Sequence, residues 1–431
     1  MRVLVLGGYG LIGAAVVARL VEEGHAVVAL GRSVEAARAR RPDVEWVARD
    51  IARLTESAAW APLLDGVDAV VNCTGALQDG ARDDVAAVQR DAMLALYRAC
   101  AAAGVSRFVQ VSATGVALDA PTPFMRTKAE ADAALMASAL EWTVLRPGLV
   151  IAPAAYGATA LLRGLASFPG LVPLARGEAR VQTVAVEEVA EAVAAALAGR
   201  VPARRVYDLV EDEARTLAEV VALIRQWLGR PPVPVLPVPG ALGAMMFRVG
   251  DFLGLLGWRP PLRTTALRQI EAGVAGDPAA WAAATGRRLA PLAETLRRMP
   301  STVQERWFGR LFLMKPVAIG TLSLFWLASG AIGLIRLDAA AAVLSGRGVA
   351  PALAGAAAAG GAVLDLALGL AVLVRPSFKP AAAGMIVVTL AYLTGGTLVA
   401  PDLWLDPLGP YVKAVPAAVL ALVALAVAEE R

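Results

Sequence analysis

Short apolar runs alternate with stretches of helical periodicity over the first 230 residues of the chain. Six runs predict buried strands, at residues 2–6, 26–30, 44–48, 69–72, 107–111 and 143–145. Between the first two strands, apolar residues recur over residues 14–23 with the spacing of a helix. Strands that alternate with helices in this way predict an α/β fold with a doubly wound parallel sheet. Ligands of such sheets lie at the carboxyl ends of the strands.

The pattern changes after residue 230. Residues 231–240 are rich in proline and predict an extended link, whereas residues 263–299 predict soluble helices. Between them, residues 241–257 carry many large apolar side chains but are shorter than a membrane span. Two interpretations of this segment stay open: a helix on the bilayer surface or in a lipid-like substrate mouth, and a packed helix of a small domain. We therefore separate residues 231–304 as a linker with soluble or interfacial helices.

Four long apolar stretches occupy the rest of the chain, at residues 311–335, 350–374, 380–400 and 410–428. Each has close to the ~20 residues that a helix needs to cross the hydrocarbon core of a membrane. Charged residues make up 18% of the chain, below the ~25% of a typical soluble protein, and they become sparse after residue 310. The sequence thus predicts an all-α domain of four transmembrane helices over residues 305–431.

Basic side chains near the span ends indicate the orientation of this domain. Basic residues precede the first span and fill the second loop, and acidic residues fill the third: Arg306, Arg310, Arg375, Lys379, Asp402 and Asp406. This pattern places the C-terminus inside, although Arg336 and Arg347 in the first loop argue against it. We expect the inner (cytoplasmic) membrane, with the N-terminal domain and the C-terminus in the cytoplasm.

The composition excludes several kinds of site. His25 is the only histidine, so a multi-histidine metal site is impossible, and we expect no bound metal. Cys73 and Cys100 are too few for a disulfide framework or a zinc cluster, and they fit a reducing compartment. The net charge is only +4 and the basic residues form no dense run, so nothing supports binding to nucleic acid.

A glycine-rich turn separates the first strand from the first predicted helix. Three glycines and the apolar or aromatic residues among them form the turn: Gly7, Tyr9, Gly10, Leu11, Ile12 and Gly13. The first glycine permits a tight turn, the second lets the backbone approach a pyrophosphate, and the third lets the helix pack close to the strand. The helix N-terminus then faces the phosphates with free N–H groups. Together, strand, turn and helix predict a dinucleotide-binding site.

The second strand ends in Gly31, Arg32 and Ser33. A site that prefers NAD(H) usually has an acid here, which holds the ribose 2′-hydroxyl. A guanidinium group and a hydroxyl suit a 2′-phosphate instead, so Arg32 and Ser33 favour NADP(H) over NAD(H). The alternative is a solvated arginine in a loop.

The motifs that follow resemble those of the short-chain dehydrogenase/reductase superfamily, in particular the atypical branch related to the NADPH-binding accessory subunit of respiratory complex I. The resemblance spans residues 1–230 and rests on the glycine turn and on segments 50–51, 74–76, 111–113, 124–130, 145–148, 182–190 and 207–209. It implies a Rossmann domain with a small substrate-side subdomain. It also implies that seven further residues border the cofactor: Asp50, Ile51, Thr74, Gly75, Ala76, Pro147 and Gly148.

The same resemblance bears on catalysis. In catalytic members a tyrosine exchanges the proton, a lysine four residues later lowers the pKa of that tyrosine and holds the nicotinamide ribose, and a serine orients the substrate. Lys128 and Ser112 stand at the lysine and serine positions, but Phe124 stands at the tyrosine position and has no proton to give. We expect Lys128 to keep its role toward the ribose. Standard carbonyl reduction is then absent or depends on another acid.

The tail resembles the DoxX-like membrane domains, small four-helix bacterial proteins of which some are associated with quinone-linked redox chemistry. Segments 309–312, 315–316 and 325–330 carry this resemblance. Asp365 is the deepest ionisable residue of the predicted spans, and such groups are usually paired or functional. We expect it to pair with Lys315 or Lys413 in the bundle, either as a structural ion pair or at a proton or quinone-headgroup contact.

Two functions are compatible with these features. The first is a membrane-anchored NAD(P)H-binding oxidoreductase that acts on a small hydrophobic, membrane-soluble acceptor such as a quinone or lipid. The second is a non-catalytic module that binds NADPH as structure or sensor and docks on a membrane complex. Phe124 favours the second function, whereas the glycine turn and Lys128 do not separate the two.

Overall fold

A computed structural model of the protein describes residues 1–75, 79–80 and 84–428. Its contacts divide the chain into two compact units, the first formed by residues 1–251 and 260–306 and the second by residues 252–259 and 307–431. The first unit is an α/β domain and the second is helical.

The first unit is built on a seven-stranded parallel sheet. Its strands, in chain order, are β1 (Arg2–Leu6), β2 (Ala26–Gly31), β3 (Glu45–Ala48), β4 (Ala69–Asn72), β5 (Arg107–Val111), β6 (Glu141–Pro147) and β7 (Arg205–Leu209). They lie in the order β7-β6-β5-β4-β1-β2-β3, and the order reverses between β1 and β4. The predicted doubly wound fold is confirmed, and each of the six predicted runs lies in a strand. Only β6 extends two residues beyond its prediction at each end, as far as its pairing with its neighbours continues.

Helices cover both faces of this sheet. The α-helices of the first unit, in chain order, are α1 (Leu11–Glu22), α2 (Glu35–Arg40), α3 (Ser57–Trp60), α4 (Ala92–Ala103), α5 (Pro123–Met136), α6 (Gly157–Ala166), α7 (Val186–Leu197), α8 (Leu217–Trp227), α9 (Gly240–Leu255, up to residue 251), α10 (Thr264–Ala272), α11 (Ala279–Thr285) and α12 (Leu292–Arg298). Because side chains alternate along a strand, Val3 and Val5 face α1 and α7, whereas Leu4 and Leu6 pack with α4. Two apolar layers thus hold the sheet.

A smaller part of the first unit packs beyond the end of β6. Three pairs of short strands support it: Leu149–Ile151 with Thr183–Ala185, Arg180–Val181 with Arg215–Thr216, and Val172–Leu174 with Val235–Pro237. A third apolar cluster joins α6, α8 and α12, with Leu292 and Leu296 buried among Val220 and Ile224. Helix α8 begins with the capping box of Thr216 and Glu219.

Residues 231–304, which the sequence separated as a linker, pack largely within the first unit. The proline-rich stretch, predicted to be extended, contains the strand Val235–Pro237, which pairs with Val172–Leu174. Further on, two acids bind the backbone of residues 290–292: the buried Glu211 accepts through Oε2 from Leu292 N at 3.0 Å, and the half-buried Glu188 accepts through Oε1 from Ala290 N at 2.8 Å. The sequence could not reveal these contacts, because the partners lie about 80 to 100 residues apart.

The second unit contains α13 (Val303–Ile335, from residue 307 onward), α14 (Leu337–Ser345), α15 (Pro351–Ala371), α16 (Phe378–Val399) and α17 (Pro410–Ala426). Within the described residues, α13, α15 and α16 are long and apolar enough to cross a membrane, and α17 is a shorter apolar helix of 17 residues. The predicted fourth span therefore stays a prediction. Helix α14 occupies most of the segment predicted as the first loop.

Close helix contacts and one buried carboxylate characterise the interior of the second unit. A Cβ added at Gly330 would lie 2.9 Å from the backbone of Leu366, so α13 and α15 touch through small residues. The Asp365 carboxylate accepts hydrogen bonds from Ser329 Oγ at 2.7 Å and Tyr392 Oη at 3.1 Å. The expected pairing of Asp365 with a lysine is therefore wrong: two hydroxyls occupy its oxygens.

The position of each lysine explains this difference. Lys315 lies fourteen residues before Ser329 on α13, about 21 Å along the helix axis at 1.5 Å per residue. Its ammonium group lies 5.5 Å from the centre of the Trp258 ring instead. Lys413 lies in the first turn of α17, and Asp365 takes its two hydroxyl partners from α13 and α16.

Candidate cofactor site

The glycine turn brings β1 close to the start of α1. Gly7 has φ of 70°, a left-handed conformation that a side chain disfavours. A Cβ added at Gly13 would overlap the carbonyl oxygen of Gly7 and lie 3.0 Å from Gly8 Cα. Because these neighbours are backbone atoms, they cannot move aside. The roles predicted for the first and third glycines thus agree with the geometry.

The N-terminus of α1 opens from this turn. Gly10 is its N-cap residue, and among the described residues no side chain caps it. A Cβ at Gly10 would meet only Gly7 O, at 3.0 Å, so the space above Gly10 is open on its outer side. Leu11 and Ile12 are half-buried in the first turn. Free backbone N–H groups and the positive end of the helix dipole make this terminus fit a pyrophosphate.

The next strand ends add polar groups. The ring of Tyr9 packs directly on Gly31, where any Cβ would overlap it, and the exposed Arg32 and Ser33 follow at the end of β2. After β3, Asp50 caps a short 3-10 helix (Ile51–Arg53), since its Oδ1 accepts from Ala52 N at 3.2 Å. These positions suit the adenosine end of a dinucleotide, as the resemblance implies.

The loop after β4 is fixed by a buried polar chain. Asn72 Nδ2 donates to Gln110 Oε1 at 2.9 Å, and Asn72 Oδ1 accepts from the backbone and hydroxyl of Thr74 at 2.9 and 2.5 Å. This fixes Thr74 beside Gly7, with Gly75 exposed after it. Ala76, which the sequence also placed at the cofactor, lies outside the described residues.

Lys128 lies at the carboxyl ends of β4 and β5. Its side chain comes from α5 and is 4% exposed, and Nζ donates to Val111 O at 3.1 Å and Thr74 O at 3.4 Å. Burial lowers the pKa of Lys128 from its ordinary value, while the charge of Asp132 raises it. The ammonium group is therefore held at the carboxyl edge of the sheet, between the ends of β4 and β5.

The predicted serine is bound to an acid that the sequence reasoning missed. Ser112 Oγ donates to Asp132 Oδ2 at 2.7 Å, and Arg146 Nη2 approaches the same oxygen at 3.5 Å. Burial raises the pKa of Asp132, which the Ser112 hydroxyl and the charges of Lys128 and Arg146 partly offset. One signal could have found Asp132: it lies four residues after Lys128, on the same face of α5.

Phe124 lies one helical turn before Lys128. The centre of its ring is 5.8 Å from Lys128 Nζ, and its edge is close to Gly75. The ring thus lies beside Lys128 and Gly75 and carries no hydroxyl. This part of the site thus has an ammonium group and a serine hydroxyl already donated to a carboxylate, but no tyrosine.

Backbone contacts fix the end of β6. Pro147 O accepts from Thr114 N at 3.1 Å, and Gly148 N donates to Leu209 O at 3.0 Å. A Cβ at Gly148 would overlap the carbonyl oxygen of Gln182, so the backbone turns closely past this strand end. The described candidate residues thus lie along the carboxyl edge of one sheet, at the ends of β1 to β6 and at the start of α5.

Comparison with known proteins identifies the class. A family model for NAD(P)H-binding proteins matches residues 7–200, and a model for the DoxX-like family matches residues 323–422. The first unit is an NAD(P)H-binding Rossmann domain with atypical short-chain dehydrogenase/reductase relatives, and a DoxX-like domain follows it. The chain belongs to the NAD(P)H-binding family.

Two relatives of known name share the first unit. The NAD(P)H azoreductase of Xenophilus azovorans is 30% identical over 229 residues, which are 53% of this chain and 74% of that protein. The photosystem II assembly factor Ycf39 of Synechocystis is 32% identical over 149 residues, or 34% of this chain. The match covers 44% of the length of that second protein.

Solved structures share the fold. The NADPH-dependent quinone oxidoreductase QOR2 of Escherichia coli, complexed with NADPH, has a TM-score of 0.53 at 21% identity, over 69% of this chain and 99% of that one. WbmG of Bordetella bronchiseptica, in complex with NAD, has a TM-score of 0.55 at 17% identity, over 72% and 95%. At these identities the likeness concerns the fold alone.

Proposed function

We propose that this protein is a membrane-anchored oxidoreductase that uses NADP(H) to reduce a small hydrophobic acceptor from the membrane, such as a quinone. The observation that carries the proposal is the buried ammonium group of Lys128 at the ends of β4 and β5, beside Phe124 in place of an acid. The site has a group to hold a nicotinamide ribose and lacks the usual group to protonate a ketone.

The residues present fit a dinucleotide. The N-terminus of α1 would hold the pyrophosphate, Asp50 and Ile51 would border the adenine, and Lys128 would bind the ribose of the nicotinamide. Arg32 and Ser33, exposed at the end of β2, would hold a 2′-phosphate, which is the basis for preferring NADP(H) over NAD(H).

When bound, the nicotinamide supplies a hydride to an acceptor held beside it. Lys128 would bind the nicotinamide ribose beside this acceptor. Its positive charge would stabilise the negative charge that develops on the acceptor. The Ser112 hydroxyl is donated to Asp132, so it orients groups by accepting hydrogen bonds rather than by giving a proton. A quinone that gains one hydride leaves a stabilised oxyanion, which takes its proton from water and becomes the hydroquinone. A ketone would leave an alkoxide, which needs an acid at once.

The relatives support this class of acceptor. One is named an NAD(P)H azoreductase and one solved structure an NADPH-dependent quinone oxidoreductase. Azo compounds and quinones are both conjugated acceptors of two electrons. The DoxX-like domain would keep the protein at the membrane, where a hydrophobic acceptor is concentrated.

We place the protein in the inner membrane, with four spans and with the cofactor domain and C-terminus in the cytoplasm. One ion pair supports this topology: Arg347 Nη2 lies 2.6 Å from Asp402 Oδ2. The two residues lie in the first and third loops, which are on the same side when α15 and α16 both cross.

A second candidate function is favoured by Phe124: a non-catalytic module that binds NADPH as structure or sensor and docks on a membrane complex. It predicts tight NADPH binding without turnover. The oxidoreductase proposal predicts that the protein both binds NADPH and turns it over.

The deciding experiment measures NADPH oxidation by the purified full-length protein in detergent, with a soluble short-chain quinone as acceptor. We expect the native protein to oxidise NADPH with the quinone but not with a ketone. Lys128→Met should lower the rate with the quinone. Phe124→Tyr should add ketone reduction without removing quinone reduction. Tight NADPH binding with no quinone reduction would reject the oxidoreductase in favour of the binding module. Quinone turnover that Lys128→Met leaves unchanged would reject the assigned role of Lys128.

A further inference from the structure

Helix α9 carries an exposed apolar stripe. Five large side chains of this helix are exposed and lie on one side: Leu242, Met245, Met246, Val249 and Phe252. At 3.6 residues per turn they fall within an arc of about 120°. Met245 and Phe252 are 56% and 59% exposed, which is unusual for side chains of this size in a folded domain.

A different face of α9 packs against protein. Phe247 is 3% exposed, and a Cβ at Gly250 would overlap the carbonyl oxygen of Leu262. Asp251, on the same helix, accepts from Arg263 Nε at 3.2 Å. The helix therefore already buries one face, and the stripe is a second apolar face. A helix with two apolar faces needs a second partner.

The segment that continues α9 indicates which partner this is. Residues 252–259 belong to the helical unit, where Arg375 N donates to Leu256 O at 2.9 Å and Trp258 Nε1 donates to Leu373 O at 2.6 Å. The Arg375 guanidinium also lies 5.2 Å from the centre of the Trp258 ring. These contacts are made at the short turn between α15 and α16, so this segment lies at the end of two apolar spans. Tryptophan and basic side chains mark that level in membrane proteins.

We propose that the apolar stripe of α9 lies in the interface of the lipid bilayer. The last residue of the stripe, Phe252, belongs to the helical unit, and the residues that follow it are fixed at the ends of α15 and α16, where the apolar phase is lipid. Arg248 is exposed beside the stripe, where its stem can lie along the lipid while its guanidinium stays in water. The proposal rests on the spans crossing a membrane and is independent of the proposed redox activity.

The test introduces one thiol into the full-length protein in nanodiscs of equal parts phosphatidylcholine and phosphatidylglycerol. Met245→Cys and Val249→Cys place it on the stripe, and Ala198→Cys places it on an exposed end of α7 as the control. Burial raises the pKa of Cys73 and of Cys100 to about 12, so an exposed new thiol reacts first. Each thiol is labelled with bimane, and the unsubstituted protein gives the background. NADPH binding by each variant shows that it is folded.

Two quenchers then report the surroundings of each label: nitroxide-bearing phosphatidylcholine from within the bilayer and iodide from water. We expect lipid-borne quenching at Met245→Cys and Val249→Cys to exceed that at Ala198→Cys severalfold, with the reverse order for iodide. Equal iodide quenching at all three positions would overturn the proposal. Protection from both quenchers together with a dimeric mass would also overturn it, in favour of a second copy of the chain. Quinone turnover does not enter this readout, so its loss would test only the proposed function.

Discussion

Replacement of Lys128 by methionine separates a cofactor role from a structural role. Methionine keeps most of the length and apolar stem of lysine but removes the ammonium group. In the native protein that group is buried and donates to the carbonyl oxygens of Val111 and Thr74. If its purpose is to bind the cofactor, the substitution should weaken NADPH binding and leave the fold nearly intact.

The magnitude follows from the surroundings of the side chain. A hydrogen bond to a charged group contributes about 1.5–3 kcal/mol, so loss of one bond to the ribose weakens binding by roughly 10- to 150-fold. The substitution removes two hydrogen bonds to the backbone, which destabilises the folded state. It also removes a buried charge, which stabilises it, because burial disfavours the charged form, as the lowered pKa of Lys128 indicates. The substitution also leaves the carbonyl oxygens of Val111 and Thr74 without this donor and removes a charge that offsets the burial of Asp132, so we expect a net stability loss of about 1–3 kcal/mol.

Two measurements on the protein in detergent test this. Fluorescence titration with NADPH gives the Kd, and thermal unfolding without cofactor gives the stability. Arg126→Met is the matched control on the same helix, since Arg126 Nη1 donates to Ala120 O and is not assigned to the cofactor. The reasoning fails if Lys128→Met lowers the Tm strongly while the folded protein keeps its native Kd.

Three further predictions use the same two assays. Because the charge of Asp132 raises the pKa of Lys128 against the larger effect of burial, Asp132→Asn should let Lys128 lose its proton at a lower pH. The Kd for NADPH, measured across alkaline pH, should then begin to rise at a lower pH than in the native protein. An unshifted curve would contradict the electrostatic coupling of Asp132 to Lys128. Gly13→Ala should lose NADPH binding and destabilise the fold by about 1–3 kcal/mol or more, since the added Cβ meets backbone. Glu211→Ala should lower stability by about 3–5 kcal/mol, because its 1% exposed carboxylate accepts three hydrogen bonds, whereas the exposed Glu213→Ala should have almost no effect on Tm.

The sheet was predictable because its strands are buried on both faces. Such strands read as short continuous apolar runs, and β4 and β5 agree with their predicted bounds. The glycine turn was predictable for a related reason, since Gly7 and Gly13 meet constraints that act within a few residues of chain. Local constraints leave a local signature in the sequence.

The contacts that adjust the site were not predictable in this way. Asp132 receives the Ser112 hydroxyl because α5 packs under the end of β5, and although its spacing from Lys128 marks Asp132 as a candidate, the sequence does not identify Ser112, twenty positions earlier, as its partner. Asp365 likewise takes hydroxyl partners from α13 and α16 instead of the predicted Lys315 or Lys413. In both cases the identity of a buried partner depends on tertiary packing.

The ion pair of Arg347 with Asp402 bears on which loops share a side of the membrane. In the sequence, Arg347 argues against the proposed orientation, because it is a basic residue in a loop assigned to the outside and basic residues are enriched in cytoplasmic loops. In the folded unit Arg347 also donates to Val343 O and thus lies against the end of α14. Its contact with Asp402 requires the first and third loops to share a side, which holds if α15 and α16 each cross once. The helices of 21 and 22 residues extend about 32 Å, enough for the ~30 Å hydrocarbon core. Under the proposed topology, the basic second loop is then the feature that predicts the orientation, and it favours a cytoplasmic cofactor domain.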